Sequence, residues 1–185
     1  MTRIAGIFAA LVCLIAGGAQ GQPAGGINPL PPMSFAARDH TICLLDRRAT
    51  ALDIIAACTR LIDGARPNDN AFSLSDAYNE RGRAHAGLRH NDEAMENFAT
   101  AILLDPDNAD AHFNRGNMYL ERKNYPLAIR DFDAAIAGNP MDGLAFFDRA
   151  LAKLRMGNAG AADADFKAAA EIYPRFEERR ARLAP

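Results

Sequence analysis

The chain has 185 residues, of which 49% are hydrophobic and 24% are charged, so it can bury a hydrophobic core and lacks the composition of a disordered protein. Its 21 basic and 23 acidic residues give a net charge of −2, which argues against a general affinity for nucleic acid or anionic lipid. A single domain is enough for a chain of this length.

The first 21 residues have the pattern of a secretory signal peptide. Arg3 precedes an apolar run over residues 4–16, and small residues at positions 17–21 offer a cleavage site near residues 19–21. The run is shorter than the roughly 20 residues that a permanent membrane anchor needs. We therefore expect an exported protein, periplasmic in a bacterium or secreted, with no membrane anchor after cleavage.

Residues 22–39 are rich in proline and glycine and predict an extended spacer. The alternative is a polyproline segment that lies in the protein's own groove and is displaced by a partner. Residues 40–64 follow, and they predict a degenerate helical pair that caps the N-terminal end of the helices after it.

Two cysteines, Cys43 and Cys58, remain after removal of the signal peptide. In an oxidising compartment an isolated pair favours a disulfide, which here would staple the cap. The alternative is two buried free thiols. A redox-active pair is not indicated, because the chain has no Cys-x-x-Cys sequence.

Residues 75–174 repeat themselves with a period of 34 residues, in copies at 75–108, 109–142 and 143–174. The repeated columns hold small, aromatic or proline residues: Gly82, Gly116, Ala150; Ala94, Ala128, Ala162; Phe98, Phe132, Phe166; Ala101, Ala135, Ala169; Pro106, Pro140, Pro174. The pattern of each copy predicts two helices, and the proline at the end of the copy terminates the second helix. Glycine within a helix costs about 1 kcal/mol relative to alanine, so Gly82 and Gly116 predict a close approach between the two helices.

This pattern resembles the tetratricopeptide repeat, whose 34-residue unit carries W-x2-L-G-x2-Y, then A-x3-F, then alanine and proline. The resemblance implies an all-α solenoid of antiparallel helix pairs, with residues 40–64 as the N-terminal cap and residues 175–185 as a C-terminal capping helix. The chain departs from the family where Lys153 replaces an aromatic residue. That replacement is typical of a terminal repeat with one face in water.

The resemblance also implies a groove lined by the first helix of each repeat. The positions that face it in the family correspond here to Asn79, Arg83, Ala86, Phe113, Asn117, Leu120, Phe147, Leu151 and Leu154. These side chains change from polar to apolar along the chain, which suits an amphipathic helix or an extended peptide. Chaperone-binding members hold a terminal carboxylate with basic residues in this groove, but Leu144 and Asp148 stand where the third repeat would supply them. The alternative is that Phe113 and Phe147 belong to the core.

No motif for catalysis, a cofactor or a metal is found. The histidines form no His-x3-His, Glu-x-x-His or cysteine–histidine cluster, and the chain has no glycine-rich phosphate loop or serine nucleophile motif. Arg81, Arg115 and Arg149 share one column. They form either an anion-binding stripe or, as we favour, structural pairs such as Arg115 with Asp131 and Arg149 with Asp165.

These observations predict a non-catalytic adaptor or scaffold that binds a peptide or helix of a cell-envelope protein in the groove. The first alternative is a structural module that assembles with a second copy of itself through Phe147, Leu151 and the end helix. A third hypothesis, an enzyme or metal carrier that uses His85 and His112, has the least support in the sequence.

Overall fold

The computed structural model describes residues 35–66 and 70–182, which form α-helices and turns without a β-strand. The helices are α1 (Phe35–Leu44), α2 (Ala51–Asp63), α3 (Ala71–Gly87), α4 (Asn91–Leu104), α5 (Ala109–Glu121), α6 (Tyr125–Gly138), α7 (Gly143–Arg155), α8 (Ala159–Ile172) and α9 (Arg175–Ala181). The sequence-predicted signal peptide at residues 1–21 lies outside the described residues, as do residues 22–34 of the predicted spacer.

Three helix pairs carry the repeat: α3 with α4, α5 with α6, and α7 with α8, each pair packed on the next. The repeated phenylalanines Phe98, Phe132 and Phe166 are at most 3% exposed, and the alanines of the neighbouring column are fully buried. Burial of one aromatic and several small side chains in every pair removes apolar surface from water at each level of the stack. The predicted all-α solenoid of helix pairs is confirmed.

The two helical glycines of the repeat lie directly beneath a phenylalanine ring. A Cβ atom at Gly82 would be 2.7 Å from Cε1 of Phe98, and one at Gly116 would be 2.8 Å from Cε1 of Phe132. Only a residue without a side chain lets the ring lie against the backbone of the partner helix at this distance. The predicted close approach of the helices is confirmed, and it explains why glycine is used within a helix.

A residue in the left-handed backbone conformation lies two positions after the first helix of each repeat. Arg89, Lys123 and Gly157, which are 34 residues apart, have φ angles of 64°, 59° and 82°. In each case the amide of the next residue donates to the carbonyl five positions earlier, at 2.8–3.0 Å. This pattern satisfies carbonyls at the end of the helix and turns the chain back on itself, so the second helix runs antiparallel to the first.

The N-terminal cap consists of α1 and α2, and α2 packs on α3. Thr50 and Asp53 form a capping box that starts α2, with each side chain bonded to the other's backbone amide. The helices begin earlier than predicted. Residues 35–39 belong to α1 rather than to the spacer, since neither proline nor glycine occurs between Pro32 and Gly64, and α3 begins at Ala71, before the first repeat at residue 75.

The C-terminal helix α9 covers the side of α7. Phe176 is 3% exposed and stacks on Phe147, with ring centroids 5.1 Å apart. Gly143 at the start of α7 makes room for Tyr173 and Phe176, because a Cβ atom there would be 2.7 Å from Cδ2 of Tyr173 and 3.2 Å from Cε2 of Phe176. The helix ends at Ala181, within the predicted segment 175–185.

Candidate functional site

The first helices of the repeats, α3, α5 and α7, line a shared recess that we call the groove. A cavity of about 270 Å³ lies across all three helices, lined by Asn79, Arg83, Asp110, Phe113, Asn114, Asp142 and Leu144. A second cavity, of about 280 Å³, lies toward the C-terminal ends of α5 and α7, lined by Leu120, Glu121, Lys123, Tyr125, Leu151 and Arg155. Of the sequence-predicted residues, Asn79, Arg83 and Phe113 line the first cavity and Leu120 and Leu151 line the second. Asn117, Phe147 and Leu154 line neither of these two cavities.

The floor of the groove is polar at its N-terminal end. Asn79 is 3% exposed, and its Oδ1 accepts a hydrogen bond of 2.9 Å from Nδ2 of Asn114 on the next repeat. Arg83 beside it is exposed, and Glu80 holds its guanidinium through bonds of 2.8 and 2.9 Å. Asn79 thus has a structural part in joining two repeats, whereas Arg83 presents a charge to solvent.

The middle of the groove is apolar and partly open. Phe113 is half-buried and packs on Phe132, with ring centroids 5.9 Å apart, and Leu120 packs on the same cluster. Leu151 and Leu154 on α7 are half-buried as well. Asn117 lies between Phe113 and Leu120 in α5, and its side chain makes no hydrogen bond within the described residues. The groove thus offers apolar contacts and one uncommitted amide.

Phe147 occupies a predicted groove position but belongs to the core. Its side chain is 1% exposed, because Phe176 of α9 stacks on one side and Phe166 packs edge-on at 5.2 Å. Arg179 then lies over the same ring, with its Cζ atom 4.4 Å from the centroid. A partner cannot touch Phe147 while α9 is in place, so the accessible groove is shorter than the sequence indicates.

Asp148, the next residue of α7, has an unusual carboxyl group. Its pKa is raised to about 6, chiefly by burial, while Arg179 opposes this shift and the charge of Asp142 adds to it. Asp142 is itself committed, since its Oδ1 accepts from the amides of Leu144 and Ala145 and so caps α7. The charge at this end of the groove therefore changes as the pH passes through about 6.

Replacing Asp148 with asparagine is expected to stabilise the protein at pH 7.5 and to have little effect at pH 3. The folded state holds the Asp148 proton more tightly than the unfolded state, whose pKa is near 3.8, so this stabilisation is complete at low pH and is lost as the pH rises through about 6. The pKa shift of Asp148 corresponds to a gain in the free energy of unfolding of at most about 3 kcal/mol for the asparagine variant at pH 7.5. Urea unfolding of both proteins at the two pH values measures it, and a difference that does not change with pH would contradict it.

The arginine column is structural. Arg115 donates two hydrogen bonds to Asp131, both 2.8 Å long, and Arg149 donates to Asp165 at 2.8 and 2.6 Å. The first repeat has Asn97 in place of the aspartate, and Arg81 Nε donates to its Oδ1 at 2.7 Å. The predicted pairs are confirmed, and these guanidiniums are not free to form the alternative anion-binding stripe.

His85 and His112, which the enzyme or metal hypothesis would use, have structural surroundings in the described part of the chain. His112 contacts Asp131 at 3.3 Å and the carbonyl of Pro106 at 3.0 Å, while burial lowers the pKa of His85. Within residues 35–66 and 70–182, no three His, Cys, Asp or Glu side chains come together as metal ligands would. Over the same ranges, no helix has the length and apolarity to span a bilayer.

Sequence reasoning missed the residues that close the C-terminal end of the groove. Leu144 is 37% exposed there, and Phe176 and Arg179 of α9 contact Phe147. These α9 residues follow the last repeat and therefore share no column with it. The apolar Phe176 within the charged segment 175–182 is the one signal that could have indicated which side chain of the predicted capping helix packs on the third repeat.

Comparison with known proteins agrees with this architecture. No curated protein matches the chain in sequence. A crystal structure of MamA is 24% identical over 71% of each chain, with a TM-score of 0.57. The Arabidopsis OM64 TPR domain is 25% identical, covering 56% of this chain and 86% of that domain, with a TM-score of 0.54.

The first TPR of Spaghetti (RPAP3), solved with the HSP90 peptide SRMEEVD, is 24% identical over 57% of this chain and 82% of that one, with a TM-score of 0.54. Residues 79–142 also match the sequence profile of the tetratricopeptide repeat. That match covers most of the first repeat and all of the second, and the third continues their columns and their helix pairing. Residues 79–142 therefore form a tetratricopeptide repeat region, and the chain as a whole shares the fold of the tetratricopeptide repeat structures.

Proposed function

We propose that this protein is a non-catalytic adaptor that binds an extended segment or helix of another protein along the groove. One observation carries the proposal: the first helices of three successive repeats line one cavity, and Phe113 in it and Leu120 and Leu151 in the second cavity remain partly open. Recessed apolar side chains beside exposed charged and amide groups are typical of sites that take a peptide. The RPAP3 domain, of similar fold, was solved with a peptide.

The partner is proposed to be a protein of the cell envelope, because residues 1–21 have the pattern of an export signal. Self-assembly through Phe147 is less favoured, since α9 of the same chain already covers that ring. Leu151 remains half-buried and can contribute to binding a different protein.

Photo-cross-linking from within the groove tests the proposal. A photoreactive amino acid at position 117 is expected to give adducts with one partner, whereas the same group at Leu103 is not. Leu103 is a matched control because it is 81% exposed on α4 and lies outside the groove. Mass spectrometry of the adducts identifies the partner, and equal adducts from both positions would contradict groove binding.

Charged substitutions in the apolar part of the groove are expected to weaken the captured complex. Leu120→Glu with Leu151→Glu should raise the Kd at least about tenfold, because two apolar contacts are lost and each tenfold corresponds to about 1.4 kcal/mol. The control variant Leu103→Glu should bind normally, and circular dichroism must show native helix content in all variants. An unchanged Kd for the double variant would overturn the groove assignment.

A further inference from the structure

A cavity of about 310 Å³ lies where the groove ends against α9. It is lined by Leu144, Arg175, Phe176, Glu178, Arg179 and Arg182, and we call it the arginine pocket. Leu144 also lines the cavity across α3, α5 and α7, so the pocket continues directly from the groove. The pocket therefore has an apolar base with three guanidinium groups around it.

Within the part of the chain that the structure describes, the three arginines of the pocket, Arg175, Arg179 and Arg182, form no ion pairs with neighbouring carboxylates. Asp148 acts on Arg179 electrostatically but makes no ion pair with it. By contrast, Arg180 on the same helix pairs with Asp163 at 2.9 Å and does not line the pocket. The lining thus carries three positive charges against the single negative charge of Glu178.

Aromatic rings hold two of these guanidiniums in place without cancelling their charge. Arg175 lies over Tyr173 and Phe176, with its Cζ atom 5.2 and 5.4 Å from the two ring centroids. Arg179 lies 4.4 Å from the centroid of Phe147. Stacking of this kind leaves the N–H edges of a guanidinium free to donate. Less side-chain entropy is then lost when an anion binds.

We propose that the arginine pocket binds acidic side chains of the protein segment that occupies the groove, with the acidic residues placed at the α9 end. The proposal rests on the proposed function, since it assigns the chemistry and the direction of the same bound segment. Arginine recognises carboxylates through paired, charge-assisted hydrogen bonds. Even with Asp148 ionised near Arg179, the pocket keeps a net positive charge that attracts carboxylates, and the apolar base formed by Leu144 and Phe176 suits an aliphatic stem or an adjacent apolar residue.

The rest of the groove favours a peptide over a nucleic acid. Asp110 and Asp142 line the neighbouring cavity, and a continuous polyanion would be repelled there. The overall charge of −2 opposes a polyanion as well. A segment that carries acidic residues at one end and polar or apolar residues elsewhere meets complementary groups along the whole site.

The test uses NMR titration of the full chain after signal-peptide removal with two capped tetrapeptides, acetyl-Leu-Glu-Gly-Glu-amide and its Gln counterpart. The acidic peptide is expected to shift the Nε–Hε signals of Arg175, Arg179 and Arg182 with a Kd below about 1 mM. The Gln peptide is expected to shift them at least tenfold less. Equal binding of the two peptides, or no saturable shift of the arginine signals, would overturn the proposal.

A pair of double variants separates the pocket from general charge effects. Arg175→Gln with Arg182→Gln is expected to weaken binding of the acidic peptide at least tenfold and leaves Arg179 to cover Phe147. Arg130→Gln with Arg180→Gln removes the same charge away from the pocket and should bind as the parent does. If both double variants lose affinity equally, the site is a diffuse electrostatic effect and the proposal fails.

Two further ligands decide between sources of negative charge. Inorganic phosphate at matched ionic strength is expected to shift the arginine signals less than the acidic peptide, and an equal shift would indicate a phosphate site instead. The second ligand is the Gln peptide with a free C-terminus. If it binds as tightly as the acidic peptide, the pocket recognises a terminal carboxylate rather than acidic side chains, and the proposal is overturned. Shifts at Asn117 and Leu151 without shifts of the arginines would retain the groove and reject the pocket.

Discussion

Replacing Arg115 with methionine is expected to lower the free energy of unfolding by about 3–5 kcal/mol, because it leaves Asp131 unpaired in the core. Asp131 is 3% exposed and receives two hydrogen bonds from Arg115. Burial alone would raise the pKa of Asp131, but the bonds from Arg115 and His112 hold that pKa below its ordinary value. His112 contacts the carboxylate at 3.3 Å and cannot replace the paired donors of the guanidinium.

The cost of Arg115→Met is expected to shrink as the pH falls. In the parent, the ionised Asp131 is favoured in the folded state, so its stabilisation is present above the unfolded pKa and is lost below it. In the variant, burial dominates and raises the pKa of Asp131, so the penalty is present at neutral pH and is relieved once the group takes a proton. Urea unfolding at pH 7 and at pH 3, on either side of the unfolded pKa, measures both effects.

Arg83→Met is the matched control for this experiment. Arg83 pairs with Glu80 at the surface, where an ion pair contributes at most about 1 kcal/mol. The two variants lose the same type of side chain and differ in whether the carboxylate left behind is buried. A cost for Arg115→Met as small as that for Arg83→Met would show that the arginine column is not structural.

The repeat register explains which features could be predicted from the sequence. Arg115 and Asp131 are 16 residues apart, as are Arg149 and Asp165, so the shared columns of the sequence alone predict both pairs. Gly82 could likewise be assigned to a close contact, because the cost of a helical glycine requires a compensating reason. Contacts within a repeat join residues close in sequence, and each such pair recurs every 34 residues in three copies. The recurrence makes these contacts predictable from the sequence.

The C-terminal end of the groove could not be predicted, because it depends on how α9 packs. Phe147 occupies a groove position in the family pattern, yet Phe176 covers it, and α9 has no counterpart earlier in the chain from which its orientation could be inferred. The arginine pocket depends on the same packing. Leu144 and Arg179 come together only through the docking of that helix, which no column of the repeat encodes.

Reduction is expected to lower the free energy of unfolding by about 3 kcal/mol, because Cys43 and Cys58 are proposed to form a disulfide between α1 and α2. The two residues are 15 positions apart, their Cα atoms are separated by 5.0 Å, and they are 2% and 0% exposed. A Cα separation between about 4.4 and 6.8 Å is the range that disulfides span without backbone movement. The bond would restrict the unfolded chain and join the two helices of the cap. The buried cluster around it also includes Ala57 of α2 and Ala77 of α3.

The experiment compares urea unfolding with and without a phosphine reductant for the parent and for Cys43→Ala with Cys58→Ala. The variant should be about 3 kcal/mol less stable than the oxidised parent and should not respond to the reductant. Alkylation under denaturing conditions counts free thiols in protein exported to an oxidising compartment, and two free thiols there would contradict the disulfide. In that case the cysteines are buried apolar side chains, and the cap relies on packing of α1 and α2 on α3 alone, without a covalent link.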